Sequence, residues 1–279
     1  MTTSPLKYAF IPRVDTRLGW DLAKLLHKQG YRIVAHTQTQ ARQEFISTQL
    51  RKHIPEIELT CYYANLSSAQ EVFWLTSLLT KNIPHLDCVV WPLASLSQCK
   101  SKDEHYQENV DAFYLLLCGL VRHRKSDSMQ IIQIASSGTN WLQPLARITK
   151  HSSDIKRHSN LNTDVFTHFQ QRYASQKTVA GYVISAPYIK QTEDLVISQL
   201  NSKATWWQQI FRAAEATLLT KVTTAIEDIL AHQPTANDVY SYQFCYSSLR
   251  RPGRLIPIAV DHKSAKKTID DLYTKLRID

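Results

Sequence analysis

Glycine is scarce in this chain of 279 residues, which has only six. An average protein carries roughly 7% glycine. A phosphate-cradling loop needs several glycines close together, because each lets the backbone approach a phosphate with no Cβ in the way. Here Gly19, Gly30, Gly119, Gly138, Gly181 and Gly253 lie far apart. An intact G-x-G-x-x-G turn or P-loop is therefore excluded. Long apolar runs are missing too, and no stretch reaches the roughly 18 residues that a membrane helix needs. Met1 to Lys7 is too short and polar to read as a secretory signal. The five cysteines are scattered and odd in number, with neither zinc spacing nor a disulfide framework. A reducing, cytoplasmic setting is the expectation.

Positive charge is plentiful, and the formal net charge is +9. Such a balance suits an anionic partner, and nucleic acid is one such partner. A solvated basic surface is the simpler account of it. The basic runs are short: Arg122 to Lys125, Lys150 to Arg157, and Arg250-Arg251. No aromatic residues interleave with them as on a single-strand stacking platform.

Apolar patterning is regular through the first half. Lys7 to Ile11 reads as a buried strand, then Leu18, Leu22, Leu25 and Leu26 recur at helical spacing, with Gly30 as the stop. Tyr31 to Ala35, Ile57 to Tyr63, Leu86 to Trp91 and Met129 to Ala135 read as further strands. Helices are expected over 41–53, 68–79 and 109–121. Short apolar strands with helical crossovers predict a three-layer α/β sandwich, with a doubly wound parallel sheet in one domain. Beyond Ser136 the pattern loosens, and 138–165 reads as an insertion or mobile loop. Later elements are a strand at Leu195–Leu200, a helical stripe from Trp206 to Leu218, a helix over Val222–Leu230, a strand over Leu255–Val260 and a helical tail over 263–279.

Motifs fall in order along this frame. They are Thr16-Arg17-Leu18-Gly19 after the first strand, Ala64-Asn65-Leu66-Ser67 after the third, and Asn109-Val110 opening an apolar helix. Ile131 to Ser136 ends the fifth strand, Tyr173-Ala-Ser-Gln-Lys177 follows, and Pro252-Gly253-Arg254 precedes the last strand. In this order they resemble the short-chain dehydrogenases/reductases, and within them the pteridine reductases. The resemblance implies a Rossmann-type fold and a catalytic set of Asn109, Ser136, Tyr173 and Lys177. It implies a nicotinamide site over Arg17, Leu18, Gly19, Thr37, Asn65 and Ala94. It also implies a small carbonyl or pterin-like substrate, and dimers or tetramers through helix faces such as 109–121.

The chemistry of that set is simple. A tyrosine of pKa about 10 needs a nearby cation to work as an acid at neutral pH. Tyr and Lys at i and i+4 share a helix face. Ser136 can hold a carbonyl oxygen, and Asn109 can position a water on a proton path. The cofactor turn departs from the family's Thr-Gly-x-x-x-x-x-Gly, reading Pro12-Arg13-Val14-Asp15-Thr16-Arg17-Leu18-Gly19. After the second strand, His36-Thr37-Gln38-Thr39 offers no acid for a ribose hydroxyl. NADPH is thus the expected cofactor, with Arg17 facing its 2′-phosphate.

Two threadings stay open. One runs a helix through Tyr173 and Lys177 to the strand at Leu195, although Pro187 would break it. The other makes Tyr182 to Ala186 the strand, with the helix before it starting near Arg157, where no Tyr-x-x-x-Lys exists. Two functions stay open as well: a reductase, or a degenerate member that keeps the fold without turnover and acts as a binding or scaffold module through protein or nucleic-acid contacts, an anionic partner being one option. Metal chemistry is not expected, since no His-x-x-x-His pair has acid ligands near it. His151, His158 and His168 read as surface residues. Ser136-Ser137-Gly138 lacks the G-x-S-x-G of a nucleophile elbow.

Overall fold

Strand and helix alternate from Lys7 onward because short, near-continuous apolar runs give way to stripes of period 3.6. A computed structural model describes residues 6–94, 99–123, 128–136, 150–173, 178–186, 220–232, 239–243, 254–257 and 262–276. Strands β1 (Lys7–Ile11), β2 (Tyr31–Thr37), β3 (Leu59–Tyr63) and β4 (Cys88–Pro92) are joined by α1 (Arg17–Lys28), α2 (Gln40–His53) and α3 (Ala69–Asn82). Each of these helices starts at a hydroxyl. Thr16, Thr39 and Ser68 accept the orphan amides of Gly19, Arg42 and Glu71.

After β4 come α4 (Lys102–Tyr106), a wider π-type turn over Gln107–Asp111, and α5 (Ala112–His123). Then follow β5 (Ser128–Ser136), α6 (Lys150–Tyr173), β6 (Thr178–Ala186), α7 (220–231), β7 (Val239–Gln243), β8 (Arg254–Pro257) and α8 (His262–Leu276). The sheet order is β3-β2-β1-β4-β5-β6-β7-β8. All neighbours pair in parallel except β7 and β8, which run antiparallel.

Successive strand residues feed opposite cores, as the pleat requires. Ala9, Ile11, Val90, Ile132 and Ile184 pack under α1, α2 and α7. Phe10, Val89, Trp91, Ile131 and Val183 pack under α3, α5, α6 and α8. The doubly wound three-layer sheet is therefore present, with one added strand, β7, that its short polar sequence did not announce.

The second half corrects the first threading. No helix runs from Tyr173 toward Leu195. Helix α6 ends at Tyr173, and β6 opens at Thr178. The segment from Gly181 to Ala186 is strand, paired with Ile131 to Ser136 of β5. Val179, Tyr182, Val183 and Ile184 are β-branched or aromatic and fully covered, which favours a buried strand. Gly181 fits it because a Cβ there would lie 2.8 Å from Cγ of Phe166 on α6. Residues 150–165, read as part of a loop, form the first turns of α6. Leu195–Leu200, Trp206–Leu218, Gly138 and Lys177 lie outside the described residues.

Candidate functional site

In an open parallel sheet, ligands bind beyond the carboxyl ends of the strands, where the winding reverses. Here that point lies between β1 and β4. Around it stand the β1–α1 turn, the ends of β2 and β3, the loop after β4, and the π-type turn.

The β1–α1 turn is built on Arg13, whose φ of 57° is left-handed. That conformation costs a non-glycine residue about 1–2 kcal/mol. Several bonds hold it. The Arg13 amide donates to Nδ1 of His36 at 3.3 Å, and the Thr16 amide and hydroxyl donate to the Arg13 carbonyl at 3.1 and 2.9 Å. Because Nδ1 of His36 accepts, its Nε2 carries the proton and donates to the Ala64 carbonyl at 2.8 Å. Complete burial lowers the His36 pKa to about 4, so the ring stays neutral. Gly19 serves close packing: a Cβ there would lie 2.4 Å from the Arg13 carbonyl oxygen.

The Arg13 side chain crosses the crevice. Its Nη1 forms an ion pair with the Glu108 carboxylate on the π-type turn, with side chains only 8% and 1% exposed. Gln38, beyond the end of β2, donates from Nε2 to Oε1 of Glu108 at 2.7 Å. The Cys99 thiol donates to Oε2 at 3.8 Å. Burial pushes the Cys99 pKa up to about 12, with the Glu108 charge adding to it. Burial also raises the Glu108 carboxyl, and Arg13 opposes that rise. Nearby, Asp15 is buried and pairs with Arg42 at 2.7 Å.

Asn109 is a clamp on the end of β4. Its Oδ1 accepts from the Ala94 amide at 2.7 Å, and its Nδ2 donates to the Ala94 carbonyl at 3.1 Å. From α6, Nδ2 of Asn162 donates to the Asn109 carbonyl at 2.9 Å. Asn162 is fully buried, and its Oδ1 has no hydrogen-bond partner among the described residues. One turn earlier, His158 stacks against His105 (centroids 4.7 Å apart) and meets Tyr106 edge-on. His158 is thus a buried residue, not a surface one.

Among the described residues, the backbone positions of the expected quartet stand at two ends of the sheet. Asn109 and Ser136 lie at the carboxyl edge of the sheet. Tyr173 is the last residue of α6, eleven residues beyond Asn162 and about 16 Å further along the helix. It closes toward Thr178, which pairs with Ser128 at the amino end of β5. Ser136 stands about 26 Å away, at the other end of that strand. Lys177 lies outside the described residues. On α6, Asn162 reaches Asn109, and His158, four residues earlier, packs against His105 and Tyr106. Sequence reading passed over both. The usable signal was the second threading itself, which begins the helix near Arg157.

The expected nucleotide residues are at the crevice but occupied with structure. Leu18 is core, the Thr37 hydroxyl donates to the Thr39 carbonyl at 3.1 Å, and Asn65 accepts from the Ser67 amide and hydroxyl at 3.1 and 2.8 Å. Ala94 is held by Asn109, and Arg17 opens α1 half-buried. Among the described residues, no group of three or more His, Cys, Asp or Glu could hold a metal. No described helix is long and apolar enough to cross a membrane.

No family model and no curated protein matches the sequence. Solved structures do. A short-chain dehydrogenase from Streptomyces avermitilis matches at TM-score 0.59 and 9% identity, over 99% of this chain and 96% of its own. The fold is that of the short-chain dehydrogenases. An alcohol dehydrogenase from the archaeon Thermococcus sibiricus, complexed with 5-hydroxy-NADP, matches this chain at TM-score 0.61 and 14% identity, over 89% of it and 99% of that protein. An actinorhodin polyketide ketoreductase variant with NADPH matches at 0.63 and 13%, over 88% and 98%.

Proposed function

We propose that this chain keeps the short-chain dehydrogenase fold, has given up nicotinamide binding, and acts by contact with an anionic partner. The observation that carries this reading is the Arg13–Glu108 bridge. Where a dinucleotide's phosphates would approach a small turn, this chain has a guanidinium side chain committed to a buried carboxylate. The residues present do not fit a pyrophosphate. Glu108 is an anion in the crevice, Asp15 is a second, and no second glycine opens the turn. The position of Tyr173 at the far end of α6 from Asn162 and Asn109 agrees with it. The net charge of +9 supports the anionic partner.

The test is a titration of NADPH and NADH against tryptophan fluorescence, with Trp91 at the end of β4 as one reporter. No saturable change at millimolar nucleotide is the expected outcome, and micromolar saturation would overturn the reading. Retention on a polyanion column should fall steeply with salt. Salt-independent flow-through would remove the anionic partner.

A second reading is an NADPH-dependent reductase of a small carbonyl or pterin-like substrate. The observation in its favour is that Ser136 and Asn109 both stand at the carboxyl edge. It requires nucleotide binding, so the same titration decides between the two.

A further inference from the structure

Strand β3 is one edge of the sheet, with β2 as its neighbour. An open edge invites a further strand, and this one is blocked against it. Two side chains of α2 take the carbonyls that face away from β2. Nη2 of Arg51 donates to the Leu59 carbonyl at 3.2 Å, and Nε2 of Gln43 donates to the Cys61 carbonyl. A docked peptide strand would need those acceptors. The exposed side chains at this edge therefore call for a different occupant.

What is exposed there is aromatic. Tyr63, Phe73 and Trp74 are 38%, 49% and 45% exposed. Tyr63 ends β3, and Phe73 and Trp74 lie in the second turn of α3. The Tyr63 and Trp74 rings stand 5.8 Å apart, inclined at 52°. Ser77 and Lys81 continue the same exposed stripe of α3. Cations frame the other end of the edge. Helices α2 and α3 both run against β3, so both finish at its amino end. There α2 exposes Arg51, Lys52 and His53, and α3 exposes Lys81. The acids nearby have partners within the chain. Glu71 accepts from the Asn65 amide at 2.7 Å, Glu44 accepts from Gln40 at 3.1 Å, and Glu58 pairs with Arg32. Glu56 lies 3.8 Å from Nε2 of His27. The sequence does not interleave basic and aromatic residues, but the fold brings them to one edge.

We propose that this edge binds single-stranded nucleic acid, with bases stacked on Tyr63, Phe73 and Trp74 and the phosphates running toward Arg51, Lys52 and Lys81. The inference rests on the anionic-partner reading above and names the partner. Exposed rings beside cations are what a single strand needs, since every base has a face to stack and every linkage a charge to neutralise. A duplex keeps its base faces in its own stack and is the poorer ligand. Stacking tolerates any base, so little sequence preference is expected.

Fluorescence anisotropy tests it with a labelled oligothymidylate of about 12 nucleotides, against a duplex of equal length and inorganic polyphosphate as competitors. The single strand is expected to bind more tightly than either. Trp74→Ala, and Tyr63→Ser with Phe73→Ser, should weaken it at least about fivefold for each ring lost, at unchanged salt slope. Lys52→Gln and Lys81→Gln should each lower the salt slope by about 0.7. These side chains are largely in water, so each variant should keep the parent's thermal midpoint. Oligothymidylate binding that the aromatic changes leave intact, or that polyphosphate matches, overturns the platform while the anionic partner stands. No binding to any of the three polyanions removes that reading and the platform with it. A dimeric parent made monomeric by Trp74→Ala in light scattering would make the patch a contact between copies, and would also overturn the proposal.

Discussion

At the scale of single residues, Arg13 and His36 decide the character of the crevice. Removing one partner of a buried ion pair leaves the other uncompensated, at about 3–5 kcal/mol. Arg13→Ala is therefore expected to lower stability by about that much, read as a shift in urea midpoint at unchanged slope. Arg13→Ala with Glu108→Gln should cost less than the sum of the single changes, since both act on one contact. Additive effects would mean that the pair is not coupled. His36 sets a pH dependence. Its folded pKa, about 4, lies below the unfolded value near 6.5. The unfolded chain takes up the proton first, so this contribution is full above pH 6.5 and is lost as pH falls toward 4. The loss is on the order of 3 kcal/mol. His36→Gln should flatten that arm of the stability profile, and an unchanged slope would assign it to other groups. Neither role is visible in the sequence. Arg13 reads there as a lost glycine, because nothing local says that its partner is Glu108, far along the chain.

At the scale of elements, the clearest lesson is the boundary between α6 and β6. The alternation through β5 was legible because each strand is a short apolar run closed by a cap or a glycine. Thr16, Thr39 and Ser68 mark the helix starts in plain sight. The next junction was not, since Tyr173 and Lys177 share a familiar spacing that carries a helix on through residues that are strand from Thr178. The β-branched run from Val179 and the stop at Pro187 were the better guide. Packing confirms the strand. Gly181 faces Phe166 so closely that Gly181→Ala should overpack the interface, costing about 1–3 kcal/mol by thermal or urea unfolding. A neutral or stabilising result would require α6 to sit further from β6. Tyr173→Phe, at the far edge from the crevice, is expected to leave any ligand binding at the crevice unchanged. A shifted dissociation constant would count against this placement. His158 and Asn162 take the inner face of α6 because that helix starts earlier than its motif suggested, and they became readable only with that start.

At the scale of the whole molecule, the sheet is shared with solved dehydrogenases while sequence identity has fallen to between 9% and 14%. Fold and chemistry have separate determinants: two apolar cores fix the first, and a handful of edge residues the second. If nucleotide binding is gone, millimolar NADPH should leave the thermal midpoint in place, because a ligand stabilises only the state it binds. A rise of several degrees would return the chain to the reductases. The bridge across the crevice has a historical consequence as well. Restoring glycine at position 13 alone would strand the Glu108 charge, and neutralising Glu108 alone would strand Arg13. Each single step back toward an open turn passes through a destabilised intermediate, so the pair acts as an evolutionary ratchet. On the proposed reading, a nucleotide would be admitted to this turn only by changing both ends together.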